Sequence, residues 1–435
     1  MNLGSSTPDI CLFGEITFLE KLHIDMEIKI IENGSVSTPA GFTASGIKAG
    51  LKKSGQPDLA LIFCSEPAVA AAAFTSNIFA AAPVQWDRQI IAAGKAVRAV
   101  VVNSGNANAC TGKQGLADAQ TMAEYTAELL QIKPEEVLVS STGRIGVPMP
   151  MEIIRKGIDQ AAAALSTTGG VAAAQAIITT DTRPKHLAVT VEIGGKTVCI
   201  GGMTKGAGMI APQMRPCPPQ ATMLAYITTD AVIERNALHV CLAEALDHSF
   251  NRIIVDGDTS TNDTLIALAS NLAGNPTIRI GSEDWQVFCT AFRQVAGTLA
   301  REMVLDGEGV THFVELRVRG ASCAEDARKV AEAIARSPLC KTAWFGGDPN
   351  WGRILAAAGY SGVSFNPAEV DLDYEQVPIV RAGQDAGTPE AEQVKALQGR
   401  EIHMDLKLGQ GRGGFTLWTC DLSYEYVKIN ADYHT

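Results

Sequence analysis

The sequence predicts a chain of mixed helices and strands, of α/β or α+β type. Short β-rich runs alternate with Ala-rich amphipathic helices, and the C-terminal part returns to strands. The chain has 435 residues, of which 46 % are hydrophobic. That is enough for a substantial core, in two or three domains or one large two-lobed unit.

The elements follow in order. Residues 1–25 read poorly as part of a fold and are expected to be an N-terminal extension, disordered, or the product of an upstream start codon. They show no basic start followed by an apolar core, as a secretory signal would. Glu27-Ile28-Lys29-Ile30-Ile31-Glu32 alternates like a strand. Ala99-Val100-Val101-Val102-Asn103 reads as a buried strand, ending in the Gly/Asn turn at 104–112. A helix is expected at about 114–131, with Leu116, Ala119, Met122, Ala123, Leu129 and Leu130 near helical spacing. Val137-Leu138-Val139-Ser140 is a strand leading into a turn at Ser141-Thr142-Gly143. A strand after residue 222 precedes a helix at about 236–252, where Leu238, Leu242, Leu246 and Ile253 share a face. Then comes a dense polar loop, Asp256-Gly257-Asp258-Thr259-Ser260-Thr261-Asn262-Asp263-Thr264. Helices fit 285–304 and 324–336, and strands fit 401–408, 415–421 and 424–430.

Composition excludes several functions. A net charge of −11 argues against nucleic acid or an anionic membrane as partner. No apolar run reaches the roughly 20 residues of a membrane helix. The 10 Cys form no Cys-x-x-Cys and the 7 His show no paired metal spacing, so no metal site is expected. Reduced thiols in the cytoplasm are the default. Gly194-Gly195-Lys196-Thr197 resembles the end of a Walker A loop, but position 190 is Thr where that motif needs Gly. Gly409-x-Gly411-x-x-Gly414 spells a dinucleotide fingerprint but lies between two strand-like runs, which points to a hairpin turn.

The most informative stretch surrounds Thr222. Lys205-Gly206-Ala207-Gly208-Met209-Ile210-Ala211-Pro212 is followed by a Pro-rich segment, 215–220, and then by Ala221-Thr222 opening an apolar run. A break before Thr222 would leave a free α-amine beside its own hydroxyl. An α-amine has a pKa of about 7.7–8.0, so it can take the hydroxyl proton with no His in attendance. A loop entering a buried strand is the plainer reading of the junction alone. Attack on an acyl carbon would also need fixed donors for the oxyanion. Thr142 and Gly143 offer a hydroxyl and an unhindered N–H, although by itself the segment reads better as an ordinary strand-to-loop turn. Lys205 could hold a carboxylate or lie on the surface. Thr182 sits in a hydroxyl-rich turn. Glu308 lies between glycines, where backbone can approach a ligand or a helix can simply end.

Taken together these stretches resemble the ornithine acetyltransferase family, the glutamate N-acetyltransferases of the cyclic arginine pathway. The matches are Asn103-Ser-Gly-Asn-Ala-Asn-Ala-Cys-Thr-Gly112, Ser141-Thr-Gly143, Thr180-Asp-Thr182, Lys205 to Pro212, Ala221-Thr-Met-Leu224 and Asp256 to Thr264. Further on come Asp306-Gly-Glu-Gly309, Phe345-Gly-Gly-Asp-Pro-Asn-Trp-Gly-Arg-Ile-Leu355 and Tyr426-Val-Lys-Ile-Asn-Ala-Asp-Tyr-His-Thr435. The similarity runs from about residue 37 to the end.

The resemblance implies an α+β fold, a layered α/β/β/α sandwich of the ornithine acetyltransferase and DmpA-like type with a smaller C-terminal α/β lobe. It implies self-cleavage between Ala221 and Thr222. Residues 26–221 would form the α chain and 222–435 the β chain, whose first part completes the sandwich and whose second part forms the other lobe. Thr222 would be the nucleophile and Thr142 and Gly143 the oxyanion hole. Thr182, Lys205, Thr222, Glu308, Asn430 and Thr435 match the substrate-binding positions. The reaction implied is acetyl transfer from N-acetylornithine to glutamate by ping-pong chemistry. No cofactor is implied, with acetyl-CoA a co-substrate in some members, and the assembly would be α2β2 or larger. A hydrolase with the same N-terminal nucleophile, an aminopeptidase or amidase, is the alternative. One departure is the insert at 215–220 beside the scissile bond.

Overall fold

The structure is a computed structural model that describes residues 27–212, 214 and 223–432. The expected extension at 1–25, the insert at 215–220, the Ala221-Thr222 junction and Thr435 lie outside the described residues.

The strands, in chain order, are β1 (Lys29–Ile31), β2 (Phe42–Ile47), β3 (Leu59–Phe74), β4 (Val97–Asn106), β5 (Val137–Arg144), β6 (Lys185–Ile193), β7 (Lys196–Lys205) and β8 (Leu224–Thr229). Next come β9 (Ile253–Ile254), β10 (Thr264–Ala269), β11 (Phe313–Ala321), β12 (Asp371–Tyr374), β13 (Val377–Arg381), β14 (Gln384–Asp385), β15 (Glu401–Lys407) and β16 (Gly413–Cys420). The helices are α1 (Ala82–Ala92), α2 (Gly112–Leu130), α3 (Met151–Ala163), α4 (Gly170–Ile177), α5 (Arg235–Asp247) and α6 (Glu283–Leu305). They continue with α7 (Ala324–Ala335), α8 (Pro338–Phe345), α9 (Trp351–Gly359), α10 (Glu390–Ala396) and α11 (Tyr424–Asp432).

A nine-stranded sheet runs β1-β6-β7-β8-β10-β3-β4-β5, with β2 also on β3. The long β3 serves two leaves. Its second half pairs with β10, while its first half pairs with β2 and β4. Period-2 alternation then builds the layers. In β8, Ala225 and Ile227 pack with α5 and α6. Leu224 and Tyr226 face the other way, against Val100 and Val102 of β4. The opposite face of β4, Ala99 and Val101, packs with α2 and α3. The result is helix, leaf, leaf, helix: the α/β/β/α sandwich expected for this α+β chain. Its strands are buried on both faces, which is why they read as continuous apolar runs. Each fully buried Val or Leu contributes roughly 1.5–3 kcal/mol.

A second sheet, β14-β13-β12-β15-β11-β16-β9, forms the smaller lobe. Its core includes Val330 and Ile334 of α7 and Trp344 of α8.

Four details differ from expectation. Residues 424–430 form helix α11 rather than a strand. The alternating Tyr-Glu-Tyr-Val-Lys-Ile imitates a strand, but the Ser423 hydroxyl accepts the Tyr426 N–H at 3.3 Å and starts a helical turn. Ile253 belongs to β9, because α5 ends at Asp247. Leu116 and Leu129 are exposed, the buried face of α2 being Gly115, Ala119, Met122, Ala123 and Ala127. The Gly409–Gly414 segment is also no hairpin: β15 and β16 flank β11, so it crosses the end of that strand. The Gly194-Gly195 pair does close a hairpin, between β6 and β7.

One core feature yields a prediction. Asp87 of α1 is fully buried, with Oδ1 accepting the Val139 N–H at 2.8 Å. Burial pushes its carboxyl well above the usual carboxylate range. A raised value in the folded state gives stability that is present below the unfolded value of about 3.9 and is lost as pH rises through the folded one. Asn keeps the acceptor and cannot ionise. Asp87→Asn should therefore be the more stable protein at pH 8, by on the order of 1–3 kcal/mol, with the gap closing toward pH 4. Thermal unfolding across pH measures this, and a pH-independent gap contradicts it.

Candidate active site

The site forms where the ends of β5 and β7 meet the start of β8. In register, Lys205 of β7 lies opposite Leu224 of β8, and Thr264 of β10 lies opposite Leu224 on the other side. The Thr264 N–H donates to the Met223 carbonyl at 2.7 Å, and the Thr204 hydroxyl donates to the Leu224 carbonyl at 2.9 Å. The residue after Thr222 is thereby fixed at the mouth of a central strand.

Thr142 and Gly143 end β5, in the other leaf, where β4 and β5 pair in parallel through a bulge at Gly105 and Asn106. Thr142 and Gly143 are half-buried. Gly143 has φ +129°, and a Cβ there would lie 2.4 Å from the Gly105 carbonyl carbon, so only glycine fits. Buried amides lock the turn. The Ser141 hydroxyl donates to Asn103 Oδ1 at 2.6 Å. Asn262, from the polar loop, donates through Nδ2 to the carbonyls of Ser141 at 2.8 Å and Ala107 at 2.6 Å.

Lys205 joins the two leaves. It is buried, and its Nζ donates to the Thr179 hydroxyl at 2.8 Å and to the Thr142 hydroxyl at 3.3 Å. A surface lysine is thus ruled out. Desolvation lowers its pKa and the Lys185 ammonium lowers it further, while Asp181 first, then Glu308 and Asp263, oppose that shift.

Glu308 follows the end of α6. Its N–H donates to the Ala207 carbonyl at 2.9 Å, interlocking the 306–309 turn with the Gly-Ala-Gly turn. Gly208 makes room for it, since a Cβ there would sit 2.4 Å from Glu308 Oε2. Asn430 of α11 donates through Nδ2 to the same Oε2 at 2.7 Å. Helix α11 is docked by the Ser423 hydroxyl on the Gly309 carbonyl at 2.6 Å and by the Tyr426 hydroxyl on Asp256 at 3.3 Å. Asp256 also accepts the Met209 and Ile210 N–H groups, at 2.6 and 2.9 Å.

Thr182 is exposed, and its N–H and hydroxyl both donate to Asp306. So Thr142, Thr182, Lys205, Glu308 and Asn430, far apart in sequence, belong to one connected constellation. Ala221, Thr222 and Thr435 lie outside the described residues. Among the described residues no group of three His, Cys, Asp or Glu is placed to hold a metal ion, and no helix is long and apolar enough to cross a membrane.

A sequence model of the ArgJ family matches residues 43–435. The chain belongs to the ArgJ family. It is 50 % identical over 404 residues to the arginine biosynthesis bifunctional protein ArgJ of Symbiobacterium thermophilum, covering 92 % of this chain and 99 % of that one. It is 45 % identical over 409 residues to the ArgJ protein of Caldanaerobacter subterraneus, covering 93 % of this chain and 100 % of that one. Among solved structures, an ornithine acetyltransferase from Mycobacterium tuberculosis complexed with ornithine is 41 % identical. That match covers 43 % of this chain and 100 % of that one, with a TM-score of 0.40. As an ArgJ protein the chain is an enzyme of arginine biosynthesis, a glutamate N-acetyltransferase.

Reading the sequence gave no role to several residues that shape this ArgJ site: Asp181, Lys185, Asp306, Thr179 and Asn262. A signal existed for Lys185. It opens an alternating strand at a position whose alternation calls for an apolar residue.

Proposed function

We propose that this ArgJ-family enzyme first cuts itself between Ala221 and Thr222. It then carries an acetyl group from N2-acetyl-L-ornithine to L-glutamate on the new N-terminal threonine. The observation that carries this reading is the Lys205 ammonium bonded to Thr142 beside the start of β8. It supports placing a hydroxyl, a cation and the N–H of a fixed glycine turn near the start of β8, where Lys205 lies opposite Leu224.

In the first step Thr222 Oγ adds to the Ala221 carbonyl carbon. The C–N bond breaks, the departing nitrogen takes a proton, and Ala221 remains as an ester on Oγ. Water hydrolyses the ester, leaving the Ala221 carboxylate and a free α-amine on Thr222. Proximity favours such an intramolecular attack.

In the second step that amine accepts the Oγ proton while Oγ adds to the acetyl carbonyl of N-acetylornithine. The oxyanion is held by the Thr142 hydroxyl and the Gly143 N–H. Collapse expels ornithine, with the proton returned to its amine. Glutamate enters, its amine attacks the acetyl ester, and N-acetylglutamate leaves. Lys205 pairs with the substrate carboxylate, and Glu308, steadied by Asn430, pairs with the ornithine side-chain ammonium. Thr182 and Thr435 complete the pocket.

No cofactor is needed, since the chain and the two amino acids carry every proton and acyl group. Acetyl-CoA is the alternative donor, and N-acetylglutamate formed from it and glutamate would assign that activity. The cut separates residues 26–221 from 222–435 without separating the pieces, because β8 and β10 lie between β7 and β3. We place the enzyme in the cytoplasm as α2β2 or a larger assembly.

Three measurements test this reading. N-terminal sequencing of the purified protein should find Thr222 at the start of a second band. Glutamate should accelerate the loss of N-acetylornithine, whereas a hydrolase would be indifferent to it. Lys205→Ala and Glu308→Ala should each raise KM by roughly 10-fold or more, the loss expected for a charged partner. Wild-type kinetics in either variant removes that residue from the site.

A further inference from the structure

Beneath the site lie charges to which the proposed reaction assigns no step. The side chains of Asp181 and Lys185 are wholly buried, and that of Asp306 is 4 % exposed. Lys185 Nζ bridges the two carboxylates, at 2.7 Å to Asp181 and 2.5 Å to Asp306. Asp181 also accepts the N–H groups of Gly206 at 2.7 Å and Thr179 at 3.0 Å. Asp306 accepts the Thr182 N–H at 3.1 Å and the Thr182 hydroxyl. Three segments that carry the pocket, 179–182, 205–206 and 306–308, are thus pinned to a single lysine.

Stability does not account for such an array. Burying ions costs several kcal/mol each, and well-packed apolar replacements are often neutral or better. The charge count is more telling. Two carboxylates face one ammonium in Lys185, and the charge that balances them is Lys205. Burial raises the Asp181 carboxyl, but the Lys185 and Lys205 ammoniums overcome this and hold it well below the usual range.

The hydrogen-bond directions add chemistry. A lysine has three donors. Lys205 commits two, to Thr142 and Thr179, and keeps one for a ligand. By donating to Thr142 Oγ1 it leaves the Thr142 hydrogen free to point at an oxyanion, and its charge polarises that hydroxyl. Thr182 gives its hydrogen to Asp306, so toward the pocket it can only accept. It would take an N–H of the substrate and not a carboxylate.

We propose that Asp181, held in place by Lys185 and through it by Asp306, is a positioning residue that keeps Lys205 an ammonium against the repulsion of Lys185, so that Lys205 supports the oxyanion donor Thr142, and that Asp306 fixes Thr182 as an acceptor. The proposal rests on the reading of Thr142, Thr182 and Lys205 given above.

The test is Asp181→Asn, with rates taken across pH. The charged groups around Lys205 are Asp181, Lys185, Glu308, Asp263 and Lys52. Removing the negative charge that opposes its desolvation most should let Lys205 lose its proton earlier. The alkaline limb of kcat should move down by about one pH unit or more relative to wild type. A purely structural Asp181 would lower activity by one factor at every pH, and that result overturns the proposal. If Asp181→Asn fails to fold, a double-mutant cycle decides. Asp306→Asn should raise KM for N-acetylornithine about as much as Thr182→Val does, and the two together should cost little more than one alone. Additive losses overturn the array. The reading of the pocket fails separately, through Lys205→Ala and Thr182→Val with wild-type kinetics.

Discussion

Thr222→Ala leaves the purified protein as one uncut chain of 45.9 kDa and removes acetyl transfer. Both effects follow from one atom. Without Oγ no ester can replace the Ala221-Thr222 amide, and without the cut no α-amine exists to act as base. Loss of a nucleophile in a related chemical setting costs on the order of 10⁶ in kcat, so the expected residual rate is the background. The variant should otherwise fold. Met223 and Leu224 are held by backbone and hydroxyl bonds from Thr264 and Thr204, and neither bond uses Thr222. A denaturing gel with intact mass, an acetyl-transfer assay and circular dichroism read the three points. Active material that is uncut, or a Thr222→Ala variant that still exchanges acetyl groups, would sink the mechanism.

The insert at 215–220 makes this prediction more than a formality. Its three prolines restrict the backbone upstream of the scissile bond. The apolar flanks survive: Met214 and Met223 are both buried in the core that holds α5 and α6. Met214 is also gripped by Asn251, which accepts its N–H at 2.5 Å and donates to its carbonyl at 2.6 Å. The chain is therefore anchored on both sides of the insert, at Met214 and at Met223.

Much of this architecture was legible because burial on both faces leaves a plain mark. Val100-Val101-Val102 can only be an interior strand when its two faces meet different layers. The helices at 285–304 and 324–336 matched α6 and α7 closely, since one apolar stripe decides each. The strand expected at 424–430 failed for the opposite reason. Helix α11 buries none of its residues, so no stripe marks its period, and its formation depends on contacts with Ser423, Gly309 and Asp256. Lys205 shows the same limit at the site. Its partners Thr142, Thr179 and Asp181 come from other strands and turns, and local sequence left a carboxylate partner and a surface side chain both open. Lone charged residues become interpretable once topology supplies their counter-ions.

The second large effect is expected at the end of β5. Thr142→Val keeps the shape of the side chain and removes the hydroxyl. A donor that serves only the developing oxyanion lowers kcat and leaves KM nearly unchanged, by a factor of roughly 10²–10³. Gly143→Ala should cost more. Its backbone holds φ +129°, and the new Cβ would fall 2.4 Å from the Gly105 carbonyl carbon and 2.6 Å from the Asn106 nitrogen. The clash is with backbone, so the β4–β5 bulge must open. Opening it moves the Gly143 N–H, displaces Thr142 from Lys205, and disturbs the Asn262 bonds that fix the turn. Both donors are then lost together, and self-cleavage, which raises the same oxyanion on Ala221, should slow in parallel. The rate of band splitting in fresh lysate and the kcat of the matured enzyme measure the two effects independently. A Gly143→Ala enzyme that splits and turns over normally would show that the oxyanion is held elsewhere.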